Sequence, residues 1–300
     1  MPCYNAAEFV RKSAEAILTQ STADLELIIV DDCSSDGSVT ILQELAMQDS
    51  RIKLILHARN LGASRSRNDG LRCAGGQFVG FCDADDIWEP DKLELQIACL
   101  NTNVDYDVAY CDSIIIDHAG RPTGELFSDQ FPPPRNPTGD LFEHLCLRNF
   151  VNMQTVLLRR ETVGGEIYFD EHIKWVEDWW QWIRLSGKFK FFYIRRPLAQ
   201  YRVHQRSTGF TQKPGILRNR WKVSRRTLGA FPDMPMRFKS VLWYQMGMEL
   251  SQLHYHRLAR RFLWRALELG CRGRNSFREN VATGIRLTIE FVRCWIAFSE

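Results

Sequence analysis

The run QFVGFCDADDIW, residues 77–88, carries an apolar, strand-like stretch straight into three carboxylates, Asp83, Asp85 and Asp86. Like charges this close repel, and folding alone gains nothing from gathering them. Alternating carboxylates on an extended segment can turn toward one divalent cation, and hard oxygen donors suit Mg2+ or Mn2+. An ion held by so few protein groups completes its shell with water and substrate phosphates. The competing reading is a capped helix start with solvated loop charge, which accounts for one acid more easily than three. A second apolar run, LELIIVDD, also stops at paired acids, Asp31 and Asp32. Turn and cap chemistry explains Asp36, Gly37 and Ser38 just beyond it but leaves Asp31 and Asp32 unaccounted for. A carboxylate there could accept the imide N–H of a uracil, with Tyr4 offering a ring face for stacking.

Further candidates lie along the chain. GASRSRND puts Arg65 and Arg67 at the opening of a helix, where guanidinium groups and backbone N–H groups favour an anion such as a diphosphate. For Arg65 a solvated basic face explains the position equally well. WVEDWWQW sets Glu177 and Asp178 among Trp175, Trp179, Trp180 and Trp182. A carboxylate beside bulky rings is partly desolvated, which makes it a better base. A helix N-terminus with core tryptophans explains the same stretch and, taken alone, explains it better. His204 in YRVHQRST has the nitrogen donors of a metal or phosphate ligand, although a lone histidine on an extended segment is more often structural. The other six histidines, His57 among them, carry no functional claim.

These residues need a scaffold. Over about the first 110 residues, strand and helix signals alternate, which argues for parallel strands joined by crossover helices. AAEFVRKSAEAILTQ lines Phe9, Val10, Ser13, Ala14, Ile17 and Leu18 along one helical face. LELIIV (25–30), IKLILH and QFVGFC (77–82) read as strands. GSVTILQELAMQ and SRSRNDGLRC read as helices, the second closed by Gly75 and Gly76. Pro90 sits in the first turn of another helix, PDKLELQIACL. In such sheets ligands bind beyond the carboxyl ends of the strands, where both sets of acids lie. MPCYNAAEF enters as a loop with no strand ahead of the first helix. The expectation is a missing first strand, with Met1 an internal residue of a longer chain. Beyond residue 105, YDVAYCDSIIID, MQTVLLRR and KFKFFYI read as strands and PLAQYRVHQRST as extended. DLFEHLCLRN and WVEDWWQWIRLSG read as helices, FPPPRNPTG as a loop, and the chain from about 215 as helical. Two regions follow, 1–214 for the chemistry and 215–300 as a basic helical extension.

Hydrophobic residues at 45% and charged residues at 25% are ordinary for a globular chain of 300 residues. Nine cysteines without a CxxC pair or regular spacing cannot all pair, suit a reducing compartment more than a disulfide framework, and argue against a zinc site. With no apolar run of membrane-spanning length and no signal-peptide profile, the expected location is cytoplasmic. Residues 215–300 hold 16 basic and 6 acidic side chains, a net of +10 against −7 for residues 1–214. RLARRFLWRALELG is a basic amphipathic helix. Packing against the rest of the chain is its commoner use; peripheral contact with an anionic membrane, at its inner face, is the sharper one, supported by Phe262, Trp264 and Trp295. No nucleic-acid recognition module is visible, so no nucleic-acid partner is expected.

Taken in order over about residues 1–210, MPCYNAAEFV, LELIIVDDCSSDGS, NLGASRSRNDGLRCAGGQFVGFCDADDIWEPDKL, VED and YRVH resemble the family-2 inverting glycosyltransferases of GT-A fold. The resemblance implies an α/β fold, a GT-A-type Rossmann-like mixed, mainly parallel sheet flanked by helices, with 215–300 outside the family pattern. It implies that Pro2, Tyr4 and Asn5 border the nucleotide base and that Asp32, with Asp31 beside it, contacts that base. Arg67, and less directly Arg65, lies near the nucleotide, and Asp83 near the ribose across Ala84. Asp85 takes the Mg2+ or Mn2+ on the diphosphate, with Asp83 a second candidate ligand and His204 reaching the same metal or diphosphate; Asp86 is an extra acid. Asp178 is the general base, supported by Glu177. The implied activity is inverting, metal-dependent transfer of a sugar from a nucleotide-sugar, a UDP-sugar above all, to the hydroxyl of a glycan or lipid-linked acceptor in cell-surface polysaccharide or glycolipid synthesis. A sugar nucleotidyltransferase would carry a Gly-rich, Lys- or Arg-bearing loop after its first strand, and MPCYNAAEF has neither. A non-catalytic nucleotide- or glycan-binding module is the alternative from another class, and the intact set Asp83, Asp85 and Asp178 speaks against it.

Overall fold

The computed structural model describes residues 1–205 and 213–272. Among the described residues, 1–142, 149–171 and 180–205 pack as one compact unit, and 143–148, 172–179 and 213–272 form a second.

In the first unit, strands β1 (Pro2–Cys3), β2 (Leu27–Asp31) and β3 (Ile52–Leu56) form a parallel sheet in that order. The sequence LIIVD is apolar and β-branched over its length, as a strand covered on both faces must be. Met1, Pro2 and Cys3 correct the expectation of a loop: Val30 N–H donates to Met1 O at 2.9 Å and Asp32 N–H to Cys3 O at 2.8 Å. Helix Val10–Leu18 buries Val10, Ser13, Ala14 and Ile17, the spacing seen in the sequence. Helix Ala63–Cys73 runs close to β2, with Gly70 set against Val30 and Ile28.

A six-stranded sheet follows: β4 (Phe78–Gly80), β5 (Ile87–Trp88), β6 (Val108–Ile116), β7 (Pro122–Leu126), β8 (Leu157–Arg159) and β9 (Phe191–Arg202). Its order is β4-β8-β6-β9-β5, with β7 on β6. Parallel pairing occurs between β6 and β9 and within β1–β3; the remaining pairs are antiparallel. The fold is thus the expected mixed α/β arrangement with flanking helices, but the parallel pairing expected to dominate holds in β1–β3 and not in the six-stranded sheet, where only β6–β9 is parallel. KFKFFYI and PLAQYR prove to be one strand, β9. Pro197 lies where its register with β6 shifts, between Cys111 and Ser113, a place where a missing N–H is tolerated. MQTVLLRR keeps only Leu157–Arg159 as strand, because Met153–Thr155 closes a 3-10 turn. A cavity of about 710 Å3 lies beside β2 and β4, lined by Leu27, Ile28, Phe78, Gly80 and Leu157 among others. Cys3, Cys33, Cys73, Cys82, Cys99, Cys111 and Cys146 are free thiols.

In the second unit, helices Lys213–Ala230, Met236–Gln252 and His256–Arg272 surround Leu250, Ala259, Leu263 and Ala266. RFKSVLWYQMGMELSQLHYHRLARRFLWRALELG, which reads from its sequence as one helical run, is two helices, broken where His254 takes a left-handed φ of 63°. Of RLARRFLWRALELG, Ala259, Leu263 and Ala266 are buried in this packing, with Phe262 and Leu267 against them, while Leu258 stays exposed. Gly247 lets Leu263 approach, Ser240 Oγ donates to Ala266 O at 2.8 Å, and Phe262 lies 4.8 Å from Trp243. Trp264 stays 62% exposed. No helix among the described residues is long and apolar enough to cross a membrane. The predicted helix FRENVATGIRLTIEFVRCWIAF, with Trp295, lies outside the described residues.

Candidate functional site

The acids of CDADDIW stand where β4 runs out and β5 begins, and the strand alternation persists through them. Cys82, Ala84, Asp86 and Trp88 are buried, while Asp83, Asp85 and Ile87 are half-exposed. Asp83 Oδ1 accepts from Arg67 Nη2 at 2.7 Å, and the Arg67 guanidinium lies 5.6 Å from the Phe169 ring. Ala84 turns its carbonyl to Ser13 Oγ at 2.9 Å. Asp85 Oδ2 lies 3.1 Å from His204 Nε2. Asp86 is 1% exposed and accepts the Arg202 backbone N–H on Oδ1 at 2.8 Å. Burial, then the charges of Asp85 and Asp83, push its carboxyl well above the ordinary carboxylate range.

Arg202 fastens this corner. Its Nε donates to Asp85 O at 2.8 Å and its Nη1 to Asp117 O and His118 O at 3.1 and 3.0 Å, with the guanidinium 4.9 Å from the Phe9 ring. The end of β9 is thereby held against the acidic turn, so that His204, two residues on, meets Asp85. Nothing local in the sequence marks Arg202. The alternation in CDADDIW, however, does mark Asp86 as inward.

The donor set can be tested against a divalent ion. Among the described residues no three His, Cys, Asp or Glu side chains gather as a metal cage. Asp85 Oδ2 and His204 Nε2 nevertheless converge. An octahedral ion with bonds of about 2.1 Å separates neighbouring ligands by about 3 Å, and these two atoms are 3.1 Å apart. One carboxylate and one imidazole leave most of the shell to water and phosphate oxygens. That fits an ion shared with a substrate.

The acids after β2 are more enclosed. Asp31 Oδ1 accepts from Ser34 N–H at 2.9 Å, while its Oδ2 is buried without a hydrogen-bond partner. Cys3 packs beside it, and burial, then the Asp31 charge, pushes that thiol up to about 12. Asp32 takes Leu61 N–H on Oδ1 at 2.8 Å and Gly62 N–H on Oδ2 at 2.7 Å, tying the loop before helix Ala63–Cys73 to β2. His57, which carried no claim in the sequence, bridges Asp32 and Asp69. Arg65 pairs with Asp69 at 2.9 Å and approaches Glu171 at 3.6 Å. Tyr4, 54% exposed, follows Pro2 of β1. Asn5, at a left-handed φ of 50°, accepts Ser35 N–H on Oδ1 at 2.8 Å, joining the two loops.

Glu177 and Asp178 occupy the first turn of helix Glu177–Ser186, in the part of the chain that groups with the second unit. Asp178 Oδ1 accepts Trp179 N–H at 2.7 Å. Trp179 and Trp182 are core residues, donating from Nε1 to Leu145 O and Val151 O at 2.6 and 3.1 Å. Trp180 is buried too, and only Trp175 keeps an exposed ring. The structure therefore gathers Arg67, Asp83, Asp85 and His204 at one corner, and Asp31 and Asp32 with the Tyr4–Asn5 loop at the end of β2.

Residues 1–160 match the glycosyl transferase family 2. The chain is 29% identical over 253 residues to TuaG of Bacillus subtilis, named as a teichuronic acid biosynthesis glycosyltransferase, covering 81% of this chain and 90% of TuaG. It is 30% identical over 244 residues to Escherichia coli WfgD, a UDP-Glc:alpha-D-GlcNAc-diphosphoundecaprenol beta-1,3-glucosyltransferase, covering 79% of this chain and 86% of WfgD. Among solved structures, the Pyrobaculum calidifontis mannosyltransferase PcManGT, in complex with GDP-Man and Mn2+, superposes with a TM-score of 0.60 at 18% identity, over 96% of this chain and 79% of that one. At that identity the likeness speaks for the fold. With the matched segment spanning more than half of the chain, the protein belongs to glycosyl transferase family 2.

Proposed function

We propose that the protein is an inverting, metal-dependent glycosyltransferase moving a sugar from a UDP-sugar to the hydroxyl of a lipid-linked glycan, in cell-surface polysaccharide synthesis. The observation that carries this reading is the corner where Asp85 and His204 converge beside the Arg67–Asp83 pair. Tyr4 offers its ring to the base, and Asp32 or the unpartnered Oδ2 of Asp31 accepts the imide N–H. Arg67 supplies positive charge beside the diphosphate while it orients Asp83 toward the ribose. Asp85 and His204 would hold a Mg2+ or Mn2+, whose positive charge would offset the negative charge developing on the departing diphosphate. Asp178 takes the proton of the acceptor hydroxyl, which attacks the anomeric carbon opposite the leaving group and inverts it; Glu177 supports it. The substrates that WfgD's name gives supply the donor and acceptor classes, and PcManGT's complex supports divalent-metal use. The +10 charge of residues 215–300 fits a peripheral position on anionic lipids at the inner face of a membrane.

The test is a thermal-shift screen of UDP-Glc, UDP-GlcNAc, UDP-Gal and GDP-Man with and without Mn2+. A ligand at 100 times its Kd adds about 2.7 kcal/mol of stability. A UDP-sugar should stabilise the protein only with metal. Asp85→Ala should lose that shift, while Asp178→Asn should keep it and lose transfer. No shift with any donor, or full activity in Asp178→Asn, overturns the corresponding part of the proposal.

A further inference from the structure

His57 lies between two carboxylates and is almost fully enclosed. Its Nδ1 is 2.8 Å from Asp32 Oδ1 and its Nε2 is 3.0 Å from Asp69 Oδ2, with the side chain 8% exposed. Both carboxylates are already committed as acceptors. Asp32 takes the amides of Leu61 and Gly62. Asp69 takes Arg65 Nε on Oδ2, and Arg72 is paired with its Oδ1. A neutral imidazole would turn the lone pair of one nitrogen onto an anionic oxygen. Two ionised acceptors facing two ring nitrogens leave one consistent arrangement, a proton on each nitrogen. The charges agree with it. Asp32, Asp69 and Glu171 balance Arg65, Arg72 and an imidazolium at His57. Asp31 lies beside Asp32 on β2, and Arg59 is exposed on the loop that His57 opens.

The elements joined this way matter to the site. Asp32 follows β2, His57 follows β3, and Asp69 sits midway along helix Ala63–Cys73, which aims Arg67 at Asp83. Elsewhere on that helix Asn68 is clamped to the Phe169 backbone by bonds of 2.8 and 2.9 Å. Without His57, no side chain would link β2 to the helix through Asp32 and Asp69, and the two carboxylates would be left without a bridge.

We propose that His57 is a positioning residue for the donor: it straps Asp32 to Asp69, and losing its ring loosens the nucleoside end of the site. The proposal rests on the reading of Asp32 and Arg67 as donor-site residues. Uridine is the probe, because it reaches the base site without engaging the metal corner. By ligand-observed NMR on the full chain, His57→Phe should raise the uridine Kd about tenfold, and His57→Gln, which keeps an amide donor between the two carboxylates, should raise it less. With UDP-sugar and Mn2+, the donor KM should rise in both variants and kcat should move less than twofold. Uridine affinity and donor KM within twofold of the wild type in both variants overturn the strap alone. No uridine binding by the wild type overturns the donor-site reading, and the strap with it. If His57→Phe lacks a cooperative melt, His57→Gln decides.

Discussion

Lys92 opens the helix that follows the acidic corner, with its ammonium fully buried. Nζ donates to Gln96 Oε1 at 2.7 Å and lies 3.9 Å from the centre of the Trp88 ring. Burial pulls its pKa from 10.5 down to about 8, against weaker opposing pulls from Cys111 and Cys82. At about 1.4 kcal/mol per unit, that difference is a penalty of roughly 3 kcal/mol for keeping the charge at neutral pH. The folded pKa is below the unfolded one, so between about 8 and 10.5 the unfolded chain holds the extra proton. Stability therefore rises with pH across that window. Lys92→Met keeps the length and removes the charge. It also strands Gln96 Oε1, costing about 1–2 kcal/mol, and gives up a cation–π contact of about 2 kcal/mol. These terms nearly cancel the gain at pH 7.5, so the pH dependence is the discriminating quantity. From pH 7.5 to 9.5, wild-type stability should gain about 2 kcal/mol on the variant in urea unfolding followed by circular dichroism. Burial pushes the Cys111 thiol up to about 12 and the Cys82 thiol well above its usual value, so neither ionises in this range. Parallel stability profiles for the two proteins would refute the account of a buried, charged lysine.

Asp86→Asn should leave Mn2+-dependent UDP affinity within about twofold, because the buried carboxyl is already driven toward its neutral form; Asp85→Asn should weaken it at least tenfold, and equal losses in isothermal titration would contradict the division of roles. In the second unit burial raises Glu249 to about 7, with Arg220 pulling the other way at 3.1 Å. Its folded pKa exceeds the unfolded 4.5, so its stabilising contribution is complete below about 4.5 and lost as pH climbs through 7. Relative to Glu249→Gln, the wild type should lose about 3 kcal/mol between pH 4.5 and 8 in denaturant melts.

The apolar runs predicted the strands of the first unit because buried parallel strands must be continuously apolar, and the helix of residues 10–18 showed its face in its spacing. What escaped the sequence depended on partners. Residues 2–3 are strand only because Val30 and Asp32 bond to Met1 and Cys3, and two residues have no periodicity to show. A proline ordinarily argues against strand continuity, yet β9 passes through Pro197 because the register shift on β6 relieves the lost donor. Thr155 turned a predicted strand into a 3-10 turn by bonding Asn152 O with both its N–H, at 3.1 Å, and its hydroxyl, at 2.7 Å.

The site divides along the same line. Asp83 and Asp85 were legible because acids gathered at a strand end need a reason beyond folding. Their partners lie far off: His204 is 119 residues from Asp85, and Arg202 116 from Asp86. No local pattern can pair residues at that distance. Asp86 was half legible. The alternation that turns Asp83 and Asp85 outward turns Asp86 inward, where a carboxylate with two like charges nearby is costly unless it is neutral or bonded. Arg202 supplies the bond through its backbone N–H, and its guanidinium meanwhile holds three carbonyls of the neighbouring turns. The least substrate-like acid of the three is thus the anchor for the strand that brings His204 to Asp85. That makes Asp86 dispensable for charge but not for shape. Asparagine should therefore be tolerated there, since its amide oxygen can still accept the Arg202 N–H, whereas alanine should move His204 away from Asp85.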